Sequence, residues 1–233
     1  MGAIYKRELK SYFSSMIGAT FLAVFFLFSG LYFYFVIDMG DASLYMVFGN
    51  MFIFVIMLIP LLTMRLMSDD KRQKTDQLLL TSRTSLTRIV LGKFFAALTI
   101  YAIAISVNIV YGLVMTMFGN PDWLSILANL FGELLLGATF IAIGLLISTL
   151  TESQVIAAVS TFALFIFILL LDSLSTIVEW DFVEKFVNWI SVNRRYNEFA
   201  NGVIDFSSVF FFVSAAATML FLTVRVLDKR RWN

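Results

Sequence analysis

Between two apolar runs of membrane-spanning length the chain carries RLMSDDKRQKTDQLLLTSRTSLTRIVLGK, from Arg65 to Lys93. Seven of its seventeen basic residues, Arg65, Lys71, Arg72, Lys74, Arg83, Arg88 and Lys93, fall in this one stretch. Loops so rich in Lys and Arg stay on the cytoplasmic side of a membrane, so this segment orients everything around it. The chain is 60% hydrophobic and only 14% charged. In lipid a backbone must satisfy its own polar groups, which leaves helices or closed barrels. Apolar runs this long and continuous point to the first, and the expected fold class is an all-α membrane protein.

At 1.5 Å per residue, about 20 residues cross the ~30 Å hydrocarbon core. Six runs approach that length, roughly 17–37, 44–64, 94–117, 124–150, 155–171 and 209–226, and are read as one transmembrane domain over residues 1–233. In residues 1–16, Tyr5, Leu9, Tyr12, Phe13 and Met16 fall near one helical face, and Lys6, Arg7 and Lys10 largely on the other. That pattern predicts a helix lying in the membrane interface. Asp38 to Asp41 is a short acidic turn, and Gly119-Asn120-Pro121 is another turn, followed by Trp123 at interface height. In the fourth run Gly137, Ala138, Ala142, Gly144 and Ser148 allow close helix approach.

Residues 172–207 form the sizeable polar segment on the opposite side. Val178, Phe182, Phe186 and Ile190 recur there every four residues, with Glu179, Asp181, Glu184 and Lys185 between them. This predicts an amphipathic helix on the outer leaflet, and Tyr196 to Val203 a second short helix. Within the central stretch, Ser68 reads as an N-cap with Asp69 and Asp70 in the first turn. Leu78, Leu79 and Leu80 close that helix with an apolar patch, and Thr84 or Ser85 caps the next.

Fourteen of the seventeen bases lie in three groups, Lys6 to Lys10, Arg65 to Lys93 and Arg225 to Arg231; the others are Lys185, Arg194 and Arg195. Six spans with both termini in the cytoplasm put all three groups on one side. The expected location is therefore a bacterial-type cytoplasmic membrane. The N-terminus shows neither a cleavable signal pattern nor a myristoylation motif.

The chain has no Cys and no His. That argues against disulfides, thiol nucleophiles, imidazole bases and the usual zinc sites. Gly92-Lys93, the one Gly-Lys pair, lacks the flanking residues of a phosphate loop. No catalytic residue, metal site or nucleic-acid partner is expected. If ATP drives this protein, another chain hydrolyses it.

The run Asp70-Lys-Arg-Gln-Lys-Thr75-Asp-Gln-Leu-Leu-Leu80-Thr-Ser-Arg-Thr-Ser85, with Arg88-Ile-Val-Leu-Gly-Lys93, resembles the loop of type-2 ABC transporter permeases. That family commonly reads acid–x–Arg–x–Gly–Thr–x–x–x–Leu-Leu–x–x–Pro and then Ile-Val-x-Gly-Lys. Lys74 stands where the family commonly has Gly, and Arg83 where it commonly has Pro. Arg7 to Phe13 is similar to the family's N-terminal elbow helix, and Ile143 to Glu152 to the ending of its fourth span. Phe199 to Asp205, Val209 to Phe212 and Lys229 to Trp232 resemble the last-span region of its gliding-motility and nitrous-oxide-operon type members.

The resemblance implies a permease subunit that dimerises, with itself or with a second permease, above two ABC ATPase subunits that carry ATP and Mg. It implies a coupling helix set against the ATPase through Asp69, Asp70, Lys71, Arg72, Lys74, Thr75, Gln77 and Leu79. Residues 172–207 would correspond to re-entrant outer helices, with Phe182, Phe186 and Trp189 as outer gate candidates. The expected function is export of a lipid, glycan, peptide or other amphipathic molecule. The alternative is an ATPase-linked membrane scaffold that moves an extracytoplasmic accessory protein without transporting a substrate.

Glu133 sits about ten residues into the fourth span, roughly 15 Å below its end. No base lies within the apolar part of any expected span. Three readings follow: it lines the dimer pathway, it is protonated and bonded to Asn108 or Asn129, or the span begins later and it lies at the interface.

Overall fold

Backbone groups in lipid find no water to bond, and the described residues answer with helices and no strand. The computed structural model describes residues 1–39, 44–75, 84–117, 119, 121–174 and 191–231. Its elements are α1 (Gly2–Ser14), α2 (Met16–Asp38), α3 (Tyr45–Thr63), α4 (Ser68–Arg72), α5 (Leu86–Ile105), α6 (Val107–Met115), α7 (Trp123–Leu150), α8 (Gln154–Leu174), α9 (Val192–Ala200) and α10 (Phe206–Arg231). Among the described residues six segments are long and apolar enough to cross a membrane: Met16–Asp38, Tyr45–Arg72, Leu86–Met115, Trp123–Leu150, Gln154–Leu171 and Phe206–Arg230. The chain is an all-α, multi-pass membrane protein.

The axis of the bundle is α7, against which α3, α5, α8, α9 and α10 all pack. Its most apolar window is 61% buried, against 17% for those of α8 and α10, which leave most of their surface for lipid or protein neighbours. Lipid tails are as apolar as Leu, so helices in a bilayer associate through close packing rather than through exclusion of water. The glycines of α7 supply that closeness. A Cβ at Gly137 would overlap the Tyr101 ring of α5, and one at Gly144 would overlap Thr63 of α3.

Elements and expectations differ in several places, and the central helix expected to close at Leu78 to Leu80 already ends at Arg72, where a turn at Gln73 and Lys74 follows. The third span begins at Leu86 rather than 94, directly after Ser85, and passes from α5 into α6 through one turn residue, Ser106. Ser68 is the first residue of α4 rather than its cap, because its hydroxyl turns back to the Met64 carbonyl. The short helix expected over 196–203 lies at Val192–Ala200, started by Ser191, whose Oγ accepts from the Arg194 amide, and ended before Gly202 at φ +77°. The amphipathic helix expected around 178–190 lies outside the described residues.

Candidate coupling site

A helix that stops inside a protein leaves its last carbonyls without intrahelical donors. α3 stops at Thr63, and four turn residues separate it from α4. Distant side chains take up the exposed oxygens. Tyr12 of α1 donates its hydroxyl to the Leu62 carbonyl at 2.7 Å. Ser148 of α7 donates to the Met64 carbonyl at 3.2 Å, and Lys93 of α5 to the Leu66 carbonyl at 2.5 Å.

Ser148 does more than cap. Its Oγ also accepts from the backbone amides of Met67, at 3.0 Å, and Ser68, at 3.1 Å. A hydroxyl has one proton and two lone pairs, so this one is fully used. It holds the start of α4 against the end of α7.

Lys93 is the second anchor. Its ammonium donates to Glu8 Oε1 at 3.0 Å and stands 2.6 Å from Asp70 Oδ2 as an ion pair. Arg7 adds a second cation, 2.7 Å from Glu8 and 3.6 Å from Asp70. Two bases thus face two acids, and the buried charges are compensated within the group. Burial works against the charged form of Arg7, but the bond to Glu8 and the fields of Glu8 and Asp70 outweigh it and raise its pKa. Burial, reinforced by Glu8 and opposed by Arg65, holds the Tyr12 hydroxyl protonated well beyond the usual phenol range. Arg65 itself donates to Ser11 Oγ and lies over the Tyr12 ring, 5.4 Å from its centroid.

The polar residues of α4 complete the attachment. Asp69 Oδ1 accepts from Gln73 at 3.0 Å and from Gln154, at the start of α8, at 2.9 Å. Thr75 Oγ1 lies 3.0 Å from Asp70 Oδ1. Lys71 turns inward and donates to the Thr149 carbonyl in the last turn of α7, where a cation suits the negative end of the helix. Between α1 and α4 the charged side chains line a polar cleft of about 260 Å³, with Arg7 and Arg65 among its cations and Asp69 and Asp70 among its acids. Arg72, Gln73 and Lys74 face solvent. Lys74 has φ +57°, the left-handed region that favours glycine.

Of the residues singled out from the sequence, the structure brings Asp69, Asp70, Lys71 and Thr75 into this network and leaves Arg72 and Lys74 exposed. Gln77, Leu79, Phe182, Phe186 and Trp189 lie outside the described residues. Glu133 is fully buried between α6 and α7, where its Oε2 accepts from Asn108 Nδ2 at 3.1 Å and its backbone carbonyl accepts from Tyr101. Asn129, one turn away, instead donates to the carbonyls of Ser125, at 2.9 Å, and Ala200, at 3.2 Å.

Sequence reasoning passed over Tyr12, Glu8, Lys93, Ser148, Thr149 and Gln154 as members of one site. Glu8 did carry a signal, as the one acid among Lys6, Arg7 and Lys10. Ser148 carried none, since its small size already explained it as a packing residue.

The arrangement ties one turn of helix to α1, α5, α7 and α8 at once. A family model described as an ABC-2 family transporter protein matches residues 38–197, more than half of the chain. No curated protein matches it.

Proposed function

Because the chain belongs to the ABC-2 family of transporter proteins, and so is a membrane-embedded permease subunit of an ABC transporter, we propose that α4 and the residues after it are where a separate ATPase drives it. In this reading two ATPase subunits, carrying ATP and Mg, dock beneath a dimer of permeases in a cytoplasmic membrane. Both termini and the 65–93 stretch face the cytoplasm, where the positive-inside bias puts them. Closure of the ATPase pair pushes on the solvent-facing side of α4, and the permeases export an amphipathic molecule.

The observation that carries this reading is the attachment of α4. A loop serving only to orient the protein needs charge but no tertiary bonds. α4 and the turn before it are bound through Ser148, Lys93, Gln154 and Thr149 to the ends of three other spans. A rigid attachment of that kind transmits force, whereas a solvated loop dissipates it.

The test is reversal of the exposed bases, Arg72→Glu with Lys74→Glu, compared with Arg230→Glu and Arg231→Glu at the end of α10. The first pair should leave the protein in the membrane and release the ATPase from the purified complex; the second should retain it. Full retention of ATPase and of transport-stimulated hydrolysis by the α4 variant would overturn the assignment.

A further inference from the structure

Around α7, three buried oxygens have lone pairs and no donor among the described residues: Glu133 Oε1, Asn108 Oδ1 and Asn129 Oδ1. The residues are 0%, 1% and 2% exposed. Buried polar atoms almost always find a partner, so such a group calls for an explanation. For Asn129 the amide is oriented by two carbonyls, those of Ser125 and Ala200, which leaves its oxygen pointing elsewhere. For the other two, one bond from Asn108 Nδ2 to Glu133 Oε2 joins amide and carboxyl. Oε1 of Glu133 and Oδ1 of Asn108 are the second oxygens of those two bonded groups, and both are acceptors unless a proton is added.

We propose that Glu133 and Asn108 form a site for one small positive charge, a proton or an alkali cation, within the membrane-spanning part of the protein. A single proton on Glu133 Oε1 donates to Asn108 Oδ1 and closes a cyclic acid–amide pair, giving both oxygens a partner at once. An alkali cation that keeps part of its water shell does the same by taking both hard oxygen donors among its ligands. Either species neutralises a carboxylate that has no ion pair among the described residues.

The titratable neighbours are accounted for. Tyr101 on α5 and Tyr196 on α9 are both buried. Their hydroxyls donate to the carbonyls of Glu133 and Phe48, so neither supplies the missing donor. Tyr111 on α6 bonds Ser29 on α2. Toward the Trp123 end, Arg195 of α9 bonds Ser207 and stacks over Phe211, and Glu198 accepts from Ser208, which also lies against Asp205. Arg194 on α9 is exposed.

The experiment is thermal unfolding of the full-length chain in lipid nanodiscs. One arm varies pH at fixed ionic composition, and the other exchanges sodium for choline at fixed pH and ionic strength. The readout is the difference between wild type and Glu133→Gln, whose amide brings its own donor to Asn108. A ligand that binds the folded state raises Tm as its concentration rises. A proton site predicts that wild type gains Tm relative to the Gln variant as pH falls, with no preference for sodium. An alkali-cation site predicts a gain with sodium over choline that Glu133→Gln removes. Asn108→Leu keeps the acid and deletes the second oxygen, so it should weaken whichever dependence wild type shows, and it serves if the Gln variant does not assemble. If wild type and both variants respond identically in both arms, the site does not exist.

Discussion

The Lys93 ammonium stands 2.6 Å from the Asp70 carboxylate, and the two side chains are 2% and 16% exposed. One residue is in the second turn of α5 and the other in α4, so their contact fixes the central stretch onto the span that follows it. Lys93→Met keeps the length of the side chain and removes its charge. Glu8 and Asp70 then lose their buried cation, and the Leu66 carbonyl loses its donor. Breaking a buried ion pair from one side costs roughly 3–5 kcal/mol. We expect a lowered Tm and faster proteolysis in the 65–93 stretch; Lys93→Met with Asp70→Asn should recover part of the loss, measured as a double-mutant cycle.

Ser148→Ala deletes one oxygen and strands two backbone groups, the amides of Met67 and Ser68, while the Met64 carbonyl keeps the Ser68 hydroxyl as its donor. A buried group left unsatisfied costs about 1–3 kcal/mol. The variant should lose more stability than Ser214→Ala on α10, whose hydroxyl makes only a local bond to Phe211 within its own helix. Thermal unfolding of the two, side by side, decides it.

Lys74→Gly should stabilise the protein. A non-glycine residue in the left-handed region costs about 1–2 kcal/mol, and glycine's extra unfolded-state freedom returns about 0.5–1 kcal/mol of that. The expected net gain is about 0.5–1 kcal/mol in chemical or thermal unfolding. Lys74→Val should do the opposite, because a β-branched side chain tolerates φ +57° worse than lysine does.

Gly144→Ala places a methyl against Thr63, and Gly137→Ala places one against the Tyr101 ring. Overpacking a filled interior costs about 1–3 kcal/mol. Gly49→Ala in α3 meets nothing within 4 Å and should be silent or slightly stabilising. Unfolding midpoints in detergent should therefore fall for the first two and hold for the third.

The absence of native cysteine makes orientation easy to read. In intact cells Lys74→Cys should be shielded from an impermeant thiol reagent, and Arg194→Cys should react. The reverse pattern would invert the assignment of sides.

The spans were legible in the sequence because each depends on local properties. A run of apolar residues, a bilayer about 30 Å thick and a rise of 1.5 Å per residue place a helix without reference to any other part of the chain. Ser85 before α5 and Asp122, whose carboxylate accepts from the Leu124 amide at the start of α7, are equally local. The family resemblance of the central loop was legible for the same reason, as an order of residue types. It even marked Lys74, a lysine where glycine is common, at the position the fold turns left-handed. Tertiary structure alone decided the partners. Periodicity cannot say that Lys71 turns in toward the Thr149 carbonyl while Arg72 beside it faces water, or that Ser148 closes a gap in a helix eighty residues earlier. Those pairings depend on which helix ends meet, and helix ends meet wherever close packing on α7 brings them, so a carbonyl orphaned in one span is satisfied by whatever donor another span carries past it.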